Sequence, residues 1–168
     1  AMQGLDRNAG SLAQFGVAEA MTALGFSHDV FAVVLEGNGH VAMSSAGSLL
    51  QKAQTYLRSA AVLLELEDYD SCASRAYFAM FYAAQAALVA ENGQLPNNQG
   101  IRSTFIQTFV DSGPLPERAG TALQAAYELQ ERGDYSHSFA VGSDEAERIL
   151  QEAEAFVTTL DRLVAPQS

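Results

Sequence analysis

The chain has 168 residues, 48% hydrophobic and 17% charged, which suits one domain plus an extension and excludes a disordered chain. Nine basic residues stand against twenty acidic ones, so the chain lacks the clustered cations that drive binding to duplex DNA or to an anionic membrane. A single cysteine, Cys72, excludes an intramolecular disulfide and a thiolate-caged metal, and nothing in the sequence implies a metal or a cofactor.

Residues 1–42 carry four acids and one arginine, net −3, and read as an N-terminal extension. Ser11 is placed to cap a short helix through Leu12, Phe15, Met21 and Leu24, ending near Gly25. Residues 30–35 are apolar and β-branched, Glu36-Gly37-Asn38-Gly39 is turn chemistry, and Val41 resumes, which is the pattern of a hairpin. Met43 offers an alternative start. The extension is expected to carry little function; the alternative is an arm that packs on the rest of the chain or on a partner. It has neither the basic start nor the apolar core of a signal peptide, so a cytoplasmic setting is expected.

Residues 43–168 carry sixteen acids and eight bases, net −8, and read as a helical bundle. From Ser48 onward Leu49, Leu50, Ala53, Tyr56, Leu57, Ala60 and Leu64 follow the spacing of one helix face. A second helix carries Ala73, Ala76, Tyr77, Met80, Phe81, Ala84 and Leu88 on one face and Phe78, Ala79, Ala83, Ala86 and Val89 on the other. A helix apolar all round belongs at the centre of a bundle or at a subunit interface. A third helix is expected from about 99 to 111, stopped by Ser112-Gly113-Pro114. A fourth has Pro116 in its first turn and ends at Gly133. Ser143 caps a fifth, whose acids Asp144 and Glu145 suit its positive dipole end. The expected fold is therefore all-α, an up-and-down bundle of about five helices.

Arg75 is the one charged residue between Asp70 and Glu91. A charge inside so apolar a helix is costly unless paired. It shares a face with Ala79, Tyr82 and Ala86, and the small alanines let another helix approach. Two readings follow. Arg75 is either a buried brace paired with Asp70, Glu128 or Asp134, or an anion site that holds a phosphate bidentately with Tyr82 donating. Arg132 and Asp134 would flank it as polar support. The acids Glu65, Glu67, Asp68 and Asp70 read as a solvated turn, with a cation site as the sharper alternative. His28 and His40 lie in the extension. His137 stands four residues beyond Arg132 and reads as a surface histidine or, formally, as a catalytic one.

The run Asp68-Tyr69-Asp70-Ser71-Cys72-Ala73-Ser74-Arg75-Ala76-Tyr77-Phe78-Ala79-Met80-Phe81-Tyr82-Ala83-Ala84 resembles the signature of small prokaryotic HEPN-domain proteins, many of them associated with toxin–antitoxin pairs. Gly100-Ile101 with Phe105 and Phe109-Val110, then Tyr127-Glu128-Leu129 with Arg132-Gly133-Asp134-Tyr135, fit the same family in order. The resemblance covers about 48–164. It implies a bundle that homodimerises and, in many members, a metal-independent endoribonuclease with a nucleotidyltransferase partner. The family motif is Arg, four to six residues, then His. Here those three positions hold Met80, Phe81 and Tyr82, and a second family histidine position holds Gln99. A phenol of pKa near 10 is a poor base at neutral pH. The leading expectation is thus a dimeric HEPN-like module with a degenerate catalytic motif that binds a nucleotide, RNA or a nucleotidyltransferase partner. The alternatives are an active endoribonuclease using Arg75, Tyr82 or His137, and a purely structural dimerisation bundle.

Overall fold

The computed structural model describes residues 41–94 and 100–165, with the backbone alone given for 41–44. The short helix and hairpin expected before 41, and Gln99, lie outside the described residues. Five helices follow in order: α1, Val41–Glu65; α2, Tyr69–Asn92; α3, α-helical over Ile101–Phe105 and π-helical over Ile106–Asp111; α4, Glu117–Tyr135; and α5, Ser143–Val164. No strand occurs among the described residues. None of the described helices is long and apolar enough to cross a membrane.

α2 is the central element. Its alanines at 73, 76, 79, 83, 84, 86 and 87 are buried, with Met80 and Leu88 fully enclosed among them. Small side chains let neighbouring helices approach closely. α2 packs most extensively on α5 and then on α4. On α5, Ile149, Leu150, Ala153, Phe156, Val157 and Leu160 form the stripe that meets it. α3 is pinned to α5 through Phe105, whose ring lies 5.5 Å from that of Phe156 and 5.3 Å from that of Phe109. Cys72 is fully buried in this core, and burial, with a smaller push from Asp68, raises its thiol to about 11.

The helix ends explain why sequence patterns place them imperfectly. α1 starts at Val41, where a strand was expected to resume, well before Ser48. It closes by donating Asp68 N–H to the Leu63 carbonyl and Glu67 N–H to the Leu64 carbonyl, each at 3.0 Å. Glu67 occupies the left-handed position of this turn, φ 60, where glycine is usual. Asp68 then caps α2 by accepting from Ser71 N–H at 3.2 Å. Pro116 precedes α4 as its cap residue and is not in its first turn, because its ψ of 155 is extended. α4 continues through Gly133 to Tyr135. Gly133 is there for close approach: a Cβ on it would stand 3.3 Å from Val141 and 3.4 Å from the Asp70 backbone. At α5 the cap is Gly142, one residue before Ser143, and the Glu145 carboxylate accepts its N–H at 3.1 Å.

The π-helical stretch of α3 ends in a turn closed by Leu115 N–H donating to the Phe109 carbonyl at 2.8 Å. A Cβ on Gly113 would fall against the Thr108 carbonyl oxygen and 2.5 Å from Phe109 Cα. Backbone cannot yield there as a flexible side chain would. Gly113→Ala is expected to lower stability by about 1–3 kcal/mol. Glu67→Gly is expected to raise it by roughly 1 kcal/mol by relieving the left-handed turn. Urea denaturation followed by helical circular dichroism, with an unchanged slope and a shifted midpoint, checks both.

Candidate functional site

Two helices build the seam that carries Arg75. On α2, Arg75, Phe78 and Tyr82 stand at steps of three and four and emerge along one edge. Ala79 and Ala86 beside them are fully buried. On α1, Lys52 and Tyr56 stand one turn apart and face that edge. The Arg75 guanidinium carbon lies 5.0 Å from the Tyr56 ring centroid, and the Lys52 Nζ lies 4.1 Å from the Tyr82 centroid. The two tyrosine rings meet edge to face at 5.2 Å, with Phe78 within 6.4 Å of each. A half-buried aromatic floor thus carries an exposed cation on either side. Such a pair is attracted to the ring faces and leaves the guanidinium and ammonium protons free to donate. Tyr82 raises the Lys52 ammonium above its ordinary pKa, chiefly through side-chain hydrogen bonding, so its charge is secure at neutral pH.

Arg75 is exposed, and no carboxylate pairs with it among the described residues. The buried-brace reading is corrected here, because each acid it required is engaged elsewhere. Asp70 accepts from the backbone N–H of Ala140 at 3.1 Å and of Val141 at 2.8 Å. Glu128 accepts from Gln124 at 2.9 Å. Asp134 accepts from Ser74 Oγ at 3.0 Å and from Gln130 Nε2 at 2.6 Å. Asp134 therefore supports the helix beside Arg75 without orienting its guanidinium. Asp68 and Asp70 are a helix cap and a loop anchor, and no metal-ligating cluster exists among the described residues.

Arg132 lies away from the seam. It donates to Glu145 at 2.6 Å, across an open groove of about 1010 Å³ between α4 and α5. His137 is exposed on the α4–α5 loop, and the arginine of its formal motif is committed to Glu145. Of the four expected ligand residues, Arg75 and Tyr82 share one edge of α2, Asp134 bonds to Ser74 beside Arg75, and Arg132 is committed to Glu145.

Two things escape a reading of the sequence. Tyr56 and Lys52 complete the seam, yet Tyr56 reads only as one member of the first apolar stripe and Lys52 only as a charged residue one turn before it. Arg102 of α3 stacks on Tyr127 of α4 at 3.3 Å, with one guanidinium nitrogen buried and unpartnered among the described residues. Tyr127 in turn lies 5.6 Å from Tyr77, whose hydroxyl burial pushes above its ordinary pKa.

Comparison with known proteins matches residues 46–163 to the HEPN domain. The chain belongs to the HEPN family. A candidate toxin of Methanocaldococcus jannaschii is 31% identical over 115 residues, spanning 68% of this chain and 85% of that one. A second candidate toxin of that organism is 27% identical over 109 residues, covering 65% and 74%. A UPF0332 protein of Archaeoglobus fulgidus is 32% identical over 108 residues, covering 64% and 86%. The crystal structure of TT1696 from Thermus thermophilus superposes with a TM-score of 0.59 at 21% identity, over 70% of this chain and 96% of that one. That likeness concerns the fold of this HEPN domain alone.

The Arg132–Glu145 pair gives the HEPN domain a testable pH response. Arg132, followed by the Gly142 N–H, holds the Glu145 carboxyl below its ordinary value of 4.5. A carboxyl lowered in the folded state contributes stability that is present above the unfolded pKa and lost as pH falls through the folded one. The pair is partly exposed, so its worth is below about 1 kcal/mol. Glu145→Gln is expected to lower stability at pH 7 by up to that amount, to flatten the stability–pH profile below pH 4.5, and to converge on wild type at the acid end; thermal unfolding across pH 3–7 measures it.

Proposed function

We propose that this chain is a dimer-forming HEPN module whose α1–α2 seam binds the phosphate and base of RNA or a nucleotide, with a degenerate catalytic motif. The observation that carries this reading is the seam itself. Exposed Arg75 and Lys52 flank the Tyr56–Tyr82 pair. Guanidinium and ammonium groups contact phosphate, and aromatic faces stack bases without sequence preference. The local pair of cations supports such binding even though the chain as a whole carries −11.

The degenerate motif rests on what the seam lacks. Among the described residues the sole imidazole is His137, on a loop whose companion arginine is otherwise paired. Tyr82 can donate a hydrogen bond to a phosphate but is a poor base at neutral pH. Dimerisation is supported by the family and by the half-buried aromatics Phe78, Phe81 and Tyr82 along the outer edge of α2. The candidate toxins among the relatives support a role in a toxin-type pair, with a nucleotidyltransferase as the partner to test first.

The test uses fluorescently labelled single-stranded RNA and purified protein in EDTA, with wild type beside Arg75→Ala and Lys52→Ala. Both substituted positions are exposed, so the variants are expected to fold. Binding should weaken in each, and the slope of log affinity against log salt should fall by about 0.7 per removed contact. Intact RNA after incubation supports the degenerate motif. Cleavage by wild type and not by Arg75→Ala would replace this reading with a metal-independent endoribonuclease. Equal affinity in all three proteins would remove the seam as the site.

A further inference from the structure

We propose that the end of the bundle built from the α1–α2 turn and the α4–α5 loop is a docking surface for a protein segment that is both apolar and basic. This inference is independent of the seam and of its ligand.

The exposed large apolar residues of the described chain are Val62, Leu66, Tyr135 and Phe139, at 54%, 70%, 74% and 91% exposure. A single exposed apolar side chain needs no explanation; a cluster does. All four fall at one end of the fold. Val62 and Leu66 sit in the last turn of α1 and just beyond it, joined by the Leu66 N–H bond to the Val62 carbonyl. Tyr135 ends α4, and Phe139 lies in the loop that follows. Asp70, four residues beyond Leu66, ties the two segments together by accepting the N–H groups of Ala140 and Val141. At most about 14 Å of chain separates Leu66 from Asp70, whose side chain holds the loop.

The loop is held for presentation. Asp134 at its start is fixed by Ser74 and Gln130, and its far end by Asp70. Phe139, one residue before the anchored N–H pair, gives nothing to the core. An ordered backbone that offers aromatic side chains outward lowers the entropy cost of binding. Exposed aromatics in such a setting are the residues that anchor protein interfaces.

Charge selects the partner. Glu65, Glu67 and Asp68 frame Leu66, while Asp134 and Asp144 bracket the loop. Of the nearby cations Arg132 is paired with Glu145, while Arg58, one turn before Val62, and Arg75 keep their charges and are outnumbered by these five acids. Glu67 holds its carboxylate at the rim from a left-handed backbone position that glycine would fill with less strain. A complementary occupant presents Lys or Arg around Leu or aromatic anchors. A second copy of this end would bring like charges face to face, which disfavours self-association there.

The probe is a labelled amphipathic lysine–leucine peptide, beside glutamate–leucine and lysine–serine counterparts, read by fluorescence anisotropy at about physiological salt. Wild type should bind the lysine–leucine peptide above both others. Leu66→Ser/Phe139→Ser, folded by circular dichroism, should weaken binding by about tenfold. Glu65→Gln/Glu67→Gln should weaken it a few-fold, whereas the same charge loss at Glu147→Gln/Glu154→Gln on α5 should not. Undiminished binding by Leu66→Ser/Phe139→Ser, equal weakening by the α5 control, or equal binding of the glutamate–leucine peptide would each overturn the proposal. So would a wild-type dimer that Leu66→Ser/Phe139→Ser converts to monomer, since the surface would then be a self-interface.

Discussion

Much of this fold answers to one constraint: α2 is apolar around most of its circumference and must be covered there, with only the edge of Arg75, Phe78 and Tyr82 left part-open. A helix with a single apolar stripe can lie on a surface, but one without a wet face has to be surrounded. The buried alanines of α2 set how closely its neighbours come, and α4 and α5 close on it accordingly. The polar ties then fall at its first turns. Asp68, Asp70 and Ser74 are the places where the wrapped helix is hydrogen-bonded to the segments around it and to its own first turn. Gly133 belongs to the same constraint, since α4 passes close to Asp70 only where it lacks a side chain.

The bundle was largely legible in the sequence, because a 3.6-residue period in apolar side chains is a property of each helix by itself. Leu49 to Leu64 and Ile149 to Val164 are read without knowing what they touch. The ends were less legible. α4 runs through Gly133 because packing against Asp70 holds the backbone helical where local preference would let it go. α5 begins at a glycine because the Glu145 side chain, three residues ahead, satisfies the free N–H. The π-helical end of α3 depends on how the chain folds back at Gly113, which no periodicity reports.

The candidate site divides along the same line. Arg75 and Tyr82 could be put on one edge because both lie on α2 and their spacing is local. Tyr56 and Lys52 belong to another helix, and their register against α2 is a tertiary fact. The acids near Arg75 misled for the complementary reason. Asp70 stands in the first turn of α2 and Asp134 bonds to Ser74 of that helix, but backbone N–H groups, a serine and a glutamine take their carboxylates. A carboxylate goes to the donors that geometry brings, and sequence proximity to an arginine does not reserve it. The result is an exposed guanidinium resting on a ring, which is poised to meet an anion in a way that an ion-paired arginine is not.

Cys72, the sole thiol of the chain, has a practical consequence. It is fully buried in the first turn of α2 and held protonated at neutral pH, since its thiol is pushed to about 11. Alkylation requires both access and thiolate. The folded molecule is thus silent toward such reagents, and any modification counts molecules whose helices have parted around α2. The protein carries its own clock for opening events, and a mass spectrometer can read it without adding a label or changing a residue.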